Sequence, residues 1–200
     1  MLQKIIITVS VVSILTFTQS ANAIFMIEPS IGYRQETVKL TDILPPQNQT
    51  EIKMNSPTYG LKLGFTSAMG ISFDLAGNRS SGKAEYTPAL TESPNYSHNI
   101  GSIQVGVNAM GLLKIYLGYI AIDDLEIQTN NFIQGFKMKG HGFQAGLMTF
   151  PFQRVGLGIQ YNVHQFTEIS GANFTNGPDI KNYFDKIDVQ DISASISFLF

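Results

Sequence analysis

Hydrophobic residues occupy every second position in several stretches of this chain, the spacing that places them on one face of a β-strand. The clearest stretch covers residues 155–163, where valine, leucine, isoleucine and tyrosine alternate with glycine, glutamine and asparagine. The same alternation recurs at residues 59–65, 71–75, 103–109, 113–119 and 143–147. No charged residue interrupts the apolar set. The pattern therefore predicts strands with two unlike faces.

Two terminal segments, residues 27–34 and 191–200, show the same period and bring the number of predicted strands to eight. Pro29 lies inside the first of them. Because proline has no backbone donor for a sheet hydrogen bond, we expect a bulge or a local gap in the sheet at this residue.

The predicted connections between strands alternate in length. Three are tight, around residues 67–70, 110–112 and 150–153. Four are long and rich in proline and asparagine, at roughly 40–56, 77–98, 123–135 and 167–186. Short turns at one end and long loops at the other are typical of transmembrane barrels. The predicted fold is an all-β, eight-stranded antiparallel up-and-down barrel with short periplasmic turns and four long extracellular loops.

Composition narrows the class of protein further. Only 14% of the 200 residues are charged, against roughly 25% in typical soluble domains, while 44% are hydrophobic. The chain has no cysteine, which excludes disulfides and thiolate metal sites. Its net charge of −2 argues against a nucleic-acid partner.

The first 23 residues have the organisation of a secretory signal peptide. Lys4 precedes an apolar stretch at residues 5–17, and Ala21 and Ala23 form a small-x-small cleavage site. The stretch is too short for a membrane-spanning helix. We therefore expect residues 1–23 to be removed and residues 24–200 to form the barrel.

Alternation alone does not show which face of the sheet contacts water, since a soluble lipocalin-like barrel would place its apolar face inside. Ten glycines share the polar phase: Gly32, Gly60, Gly64, Gly106, Gly118, Gly140, Gly142, Gly146, Gly156 and Gly158. Because eight strands enclose a narrow interior, this small, polar face is expected to line the lumen and the apolar face to contact lipid. Aromatic residues near the strand ends suit interfacial girdles: Tyr33, Tyr59, Phe65, Phe73, Phe150, Phe152, Tyr161 and Phe166.

The end of the sequence carries a resemblance. Ile192, Ala194, Ile196, Phe198 and Phe200 alternate up to the last residue. This resembles the terminal signature of bacterial outer-membrane barrels, and residues 24–200 as a whole resemble the small outer-membrane proteins of the A and X type. The resemblance implies export to the outer membrane of a Gram-negative bacterium, with a lipid bilayer and lipopolysaccharide as surroundings. It also implies recognition by the barrel-assembly machinery through Ile196, Phe198 and Phe200.

Polar residues in the inward phase predict a network inside the barrel. Its members are Glu28, Arg34, Lys62, Asp74, Asn108, Lys114, Tyr116, Gln144, Arg154, Gln160 and Asp191. Lys62 and Asp74 flank the 67–70 turn, so we expect them to form an ion pair. Arg34 and Asp191 are expected to pair across the seam where the first and last strands meet. Such pairs favour a plugged lumen, and a water-filled pore is the alternative.

The three histidines offer no recognisable catalytic set. His98 is expected to be solvated at a loop–strand junction, and His141 and His164 fall in opposite phases, so they cannot share a metal. The acidic residues Asp123, Asp124 and Glu126 are expected to lie in a solvated loop. No catalytic, cofactor or metal site is predicted.

The predicted function is non-enzymatic: support of the cell envelope, with loops that adhere to or recognise a host or surface ligand. A narrow channel for small polar solutes or ions is one alternative. A lipid-modifying enzyme that uses His164 near the outer rim is another.

Overall fold

The computed structural model describes residues 24–43, 48–87, 92–109, 112–131, 133–152, 154–175 and 177–200. The predicted signal peptide, with Ala21 and Ala23, lies outside these residues. The described strands are β1 (Ile24–Asp42), β2 (Gln49–Thr66), β3 (Ile71–Thr87), β4 (Asn95–Ala109), β5 (Leu113–Ile127), β6 (Phe136–Phe152), β7 (Val155–Gly171) and β8 (Phe184–Phe198). A short 3₁₀ turn at Ile180–Asn182 precedes β8.

Each strand pairs antiparallel with the next, and β8 pairs with β1 to close the barrel. The predicted eight-stranded up-and-down architecture is therefore confirmed. Closure leaves no free sheet edge, so the backbone hydrogen bonds of the wall are satisfied within the sheet. Across the described part of the chain, no helix is both long and apolar enough to cross a membrane.

The predicted apolar phase points out of the barrel. Its side chains are exposed on all eight strands and form an apolar belt, which includes Ile31, Leu61, Leu75, Val105, Leu117, Leu147, Leu157 and Ile196. Residues of the alternate phase face the interior of the barrel, and most of them are buried. An exposed continuous surface of this kind is stable only in an apolar solvent, which is the hydrocarbon of a bilayer.

The strands are longer than the sequence analysis predicted. They contain 15 to 19 residues, whereas about 9–11 tilted residues cross the hydrocarbon. Much of each predicted long loop is therefore strand, since β1 continues to Asp42, β3 to Thr87, β5 to Ile127 and β7 to Gly171. The barrel wall continues past the apolar belt. We call this part the outer extension; it includes the β1–β2 pairs from Val38–Ile52 to Thr41–Gln49 and the β5–β6 pairs from Leu125–Met138 to Ile127–Phe136.

The hydrophobic phase reverses in this outer extension. In β2, Tyr59 and Leu61 face outward in the belt, whereas Ile52 and Met54 face inward and are fully buried. Lys53, between them, is exposed. The backbone alternation continues unchanged, but water replaces lipid outside the wall, so apolar side chains turn into the barrel. These segments were predicted as loops because they lack the outward-facing apolar residues that mark the membrane-facing strands.

Pro29 produces a local gap rather than a bulge. Ile27 and Phe200 exchange two backbone hydrogen bonds, and regular β1–β8 pairing begins at Ser30. The intervening ladder bond is the one that Pro29 cannot donate. On the β2 side, Pro29 pairs with Leu61 without any shift in register.

Candidate functional site

Two ion pairs, one partly buried and one fully buried, lie inside the membrane-facing half of the barrel. Lys62 Nζ is 3.2 Å from Glu28 Oε1, and Lys114 Nζ donates to Asp74 Oδ2 at 2.6 Å. The predicted Lys62–Asp74 pair is wrong, because the hairpin register places Lys62 opposite Ala76. Lys62 instead lies directly across from Glu28 on β1. Lys62 and Asp74 each have an oppositely charged neighbour, but their partners are Glu28 and Lys114 rather than each other.

A chain of hydrogen bonds crosses the lumen beside these pairs. Tyr116 Oη donates to Gln160 Oε1 at 2.9 Å, Gln160 Nε2 to Gln144 Oε1 at 3.3 Å, and Gln144 Nε2 to Ser102 Oγ at 3.0 Å. Lys62 Nζ lies 4.9 Å from the centre of the Tyr116 ring. The cavity among these side chains measures about 30 Å³. Little free space therefore remains beside Glu28, Lys62, Tyr116 and Gln160, which line this cavity.

Two other predicted members of the network lie near its periplasmic end. Asn108 is half-buried and donates to Thr66 Oγ1 at 3.0 Å. Arg154 is exposed in the connection between β6 and β7, so its assignment to the lumen was wrong. The alternation that places a side chain inside the barrel does not extend into a turn.

Gly146 makes room for the Tyr116 ring, since a Cβ there would collide with Tyr116 Cζ. Replacing Gly146 by alanine is expected to lower the free energy of unfolding by about 1–3 kcal/mol through overpacking. Gly77→Ala is the matched control, because nothing lies within 4 Å of a Cβ at that position. Urea titration of both variants in lipid vesicles tests this expectation. Equal stability of the two would contradict a tightly filled lumen.

A second group of charged residues lies between these pairs and the outer extension. We call it the charge cluster: Arg34, Glu36, His98, Asp123, His164 and Asp191, all of which are buried. His98 Nδ1 is 2.8 Å from Glu36 Oε2, and His98 Nε2 is 2.6 Å from Asp123 Oδ1.

The second histidine of the cluster is held in the same way. His164 Nδ1 is 2.8 Å from Asp123 Oδ2, and His164 Nε2 is 2.8 Å from Asp191 Oδ2. Arg34 Nε lies 3.7 Å from Asp191 Oδ2, so the predicted seam pair is present. Asn162 Nδ2 donates to the other oxygen of Asp191 at 2.8 Å. Each imidazole thus lies between two carboxylates, one at each ring nitrogen.

Sequence reasoning missed this cluster for two reasons. His98 was expected to be solvated, but β4 begins at Asn95 and His98 is 0% exposed. Asp123 was placed in a loop, yet it lies in β5 beyond a bulge, where Ala121 and Ile122 both face outward. The extra residue changes the phase and turns Asp123 inward, while Asp124 and Glu126 stay partly exposed.

The prediction that His141 and His164 point to opposite sides of the barrel wall is confirmed. His141 lies on the outer wall with its ring 6.1 Å from that of Tyr119, whereas His164 points into the lumen. Phe166 does not join the outer aromatic girdle. It is buried, and its ring is stacked 6.1 Å from that of His164.

An apolar core fills the outer extension above the charge cluster. Its buried members include Val38, Leu40, Ile52, Met54, Tyr96, Leu125, Ile127, Phe136, Met138, Phe166, Ile169, Ile180 and Val189. Ile180, from the last connection, closes over it. Burial raises the pKa of Tyr86, which packs against this core, to about 12. The core therefore separates the charge cluster from the outside.

Comparison with known structures finds the same fold. Ail of Yersinia pestis, solved with the heparin analogue sucrose octasulfate, matches with a TM-score of 0.53 at 14% identity, covering 88% of this chain and 99% of Ail. Neisserial surface protein A matches at 0.50 and 12%, covering 89% and 99%. OprG of Pseudomonas aeruginosa matches at 0.52 and 9%, covering 88% and 95%. No protein-family model and no curated protein matches the sequence.

The fold and the apolar belt define the class of protein. The chain has the architecture of the small eight-stranded outer-membrane β-barrels of Gram-negative bacteria, as Ail, neisserial surface protein A and OprG do. At these low identities the likeness shows the fold alone.

Proposed function

We propose that this chain is a non-enzymatic outer-membrane protein whose barrel is plugged and whose outer extension presents a recognition surface. The observation that carries this proposal is the filled interior. Ion pairs and amides occupy the lower lumen, the charge cluster lies above them, and an apolar core occupies the outer extension.

The interior offers little space for a permeating solute. A cavity of about 30 Å³ accommodates only about two or three water molecules. An ion that passed it would then meet the apolar core, where it would lose its hydration without a polar partner. The narrow-channel alternative would require both regions to open together.

The enzyme alternative relied on His164 at the outer rim. His164 is buried and inward-facing, with Asp123 and Asp191 on its two ring nitrogens. A membrane lipid contacts the outer wall of the barrel, on the other side of the sheet from this imidazole. The geometry therefore favours a non-catalytic role for His164.

The outer extension provides a stiff base for the four outer connections. Its strands remain hydrogen-bonded in register well beyond the belt, as Thr41–Gln49 and Ile127–Phe136 pairing shows. Its outer wall carries charges of both signs, such as the Lys137–Glu126 and Lys186–Asp188 pairs. Loops on a rigid scaffold are suited to recognition. Lipopolysaccharide and a host or surface ligand are the partners we propose.

Planar-bilayer recording tests the plugged lumen. Protein inserted into the bilayer is expected to give no steady ion current, while a water-filled porin prepared in the same way conducts. Sustained unitary currents from the wild-type chain would favour the channel alternative instead.

Adhesion of bacteria that display the protein tests the recognition role. Cells displaying the wild-type chain are expected to bind host-cell monolayers better than cells displaying a variant with Lys186→Ser and Asp188→Ser, an exposed and a half-buried residue that form an ion pair at the start of β8. Surface labelling checks that both proteins are displayed equally. Equal binding by displaying and non-displaying cells would contradict adhesion.

The last residue offers a test of the proposed assembly signal. Phe200 is exposed and exchanges backbone hydrogen bonds with Ile27 at the seam. Deleting Phe200 is expected to lower the amount of folded protein in the outer membrane, measured by fractionation and by heat-modifiable gel mobility. Deleting the exposed turn residue Met69 is the control for a general loss of expression. Unchanged levels without Phe200 would remove the case for this signal.

A further inference from the structure

The charge cluster contains the donors of a metal site. His98, His164 and Asp123, on β4, β7 and β5, each offer one ligand atom, and these three atoms lie within 4.8 Å of one another. All three side chains are buried. We propose that these residues bind a divalent transition-metal ion, with Zn²⁺ as the representative ion.

In each imidazole, the ring nitrogen that points away from Asp123 supports this assignment. His98 Nδ1 lies 2.8 Å from Glu36 Oε2, and His164 Nε2 lies 2.8 Å from Asp191 Oδ2. A metal-bound histidine almost always donates its other ring N–H to a carboxylate or carbonyl oxygen, which fixes the tautomer and orients the ring. The cluster supplies such a carboxylate to each ring, and the two remaining nitrogens, His98 Nε2 and His164 Nδ1, both face the carboxylate of Asp123.

A divalent cation would balance the charges of the cluster when its imidazoles are neutral. Glu36, Asp123 and Asp191 contribute three negative charges, and Arg34 is the positive side chain of the group. With neutral imidazoles, two negative charges remain, while the lower pairs Lys62–Glu28 and Lys114–Asp74 are already balanced. Buried charge requires compensation. One divalent ion supplies it at the point where the three donors meet.

The same balance results if both imidazoles carry a proton on each nitrogen. In that arrangement Asp123 accepts from His98 and His164, and the cluster is a metal-free ionic network. The two forms differ in content, because metal binding replaces the protons between Asp123 and the rings. Metal analysis therefore separates them.

The donor types select the class of ion. Two imidazole nitrogens and one carboxylate suit zinc, and they also form the two-histidine, one-carboxylate set used by ferrous ions. Calcium and magnesium prefer oxygen donors alone. In a zinc complex the donors would lie roughly 2.0–2.2 Å from the ion. The ion would join three strands just below the apolar core.

The test begins with the full-length protein folded into detergent micelles with Zn²⁺ present, followed by removal of unbound metal on a desalting column. Inductively coupled plasma mass spectrometry is expected to find about one zinc ion per chain. X-ray absorption of the same sample is expected to show nitrogen and oxygen neighbours at about 2.0–2.2 Å, with imidazole scattering. Loading with Fe²⁺ under argon is the parallel arm, and its retention would also support the site.

Histidine variants locate the ion. His98→Gln and His164→Gln are expected to lose the bound zinc, whereas His141→Gln, on the outer wall, is expected to retain it. Gel mobility without heating confirms that each variant is folded. If a ligand variant does not fold, Glu36→Gln takes its place: it keeps all three donors and is expected to weaken zinc binding by about 10–100-fold.

Two results would overturn the metal site. One is folded wild-type protein that retains neither ion, which would establish the metal-free ionic network. The other is zinc retained equally by the wild type, His98→Gln and His164→Gln, which would place the metal elsewhere on the chain. Neither result would bear on the plugged lumen, which rests on the lower network and the apolar core.

Discussion

Replacing Lys114 by methionine is expected to lower the free energy of unfolding by about 3–5 kcal/mol. Lys114 and Asp74 are both almost fully buried, and the ammonium group donates to Asp74 Oδ2 at 2.6 Å. Methionine preserves most of the side-chain volume but leaves the Asp74 carboxylate without its counter-charge inside the wall. The expected loss therefore comes from an uncompensated buried charge rather than from a cavity.

A double variant separates charge from packing. Lys114→Met combined with Asp74→Asn leaves no ionised group at this position, so it is expected to recover at least half of the stability lost by Lys114→Met alone. Because the chain contains no tryptophan, urea unfolding in lipid vesicles is followed by far-UV circular dichroism and gel mobility. A double variant no more stable than the single variant would argue that Lys114 acts through packing.

Leu157→Arg is expected to destabilise the folded barrel by about 2–4 kcal/mol. Leu157 lies on β7 with its side chain on the outer wall, 43% exposed, and it pairs with Thr149 and Ile196 on the neighbouring strands. In a bilayer this exposed surface faces hydrocarbon. A guanidinium at that position would have to reach the interface or draw water and headgroups inward.

Gln165→Arg is the matched control for this prediction. Gln165 also points outward from β7, but it lies eight residues further along the strand, toward the outer extension. An arginine there is expected to cost no more than about 1 kcal/mol. Comparable stability of Leu157→Arg and Gln165→Arg in vesicles would mean that Leu157 does not face the hydrocarbon.

The sequence was sufficient for the membrane-facing part of the fold. Runs such as residues 155–163 have a single, uninterrupted alternation, and lipid outside a narrow lumen permits only one orientation of it. The outer extension was missed because its alternation has the opposite sign. Ile52 and Met54 occupy the inward phase that glycine and lysine occupy nearer the periplasm. A search for a reversal of hydrophobic phase at constant spacing would have found it.

Individual contacts in the lumen were less predictable. The Arg34–Asp191 contact followed from the requirement that the first and last strands meet. The partners of Lys62 and Asp74 depended on a register that turn length fixes only to within a residue or two. The charge cluster depended on the β5 bulge, which has no clear signature in the sequence around Ala121. Beyond a bulge, the alternation of residues no longer predicts which side chains face the lumen, because the extra residue shifts the pattern by one position.

The reversed outer extension constrains the order in which the barrel can assemble. Its outer wall carries Lys39, Lys53 and Lys137, all exposed to solvent. If the barrel closed first and then moved through the bilayer, each of these lysines would pass the hydrocarbon at a cost of up to about 2–4 kcal/mol. Strand ends that cross before the β1–β8 seam closes can keep these groups away from lipid. Translocation of the outer segments should therefore precede closure of the wall.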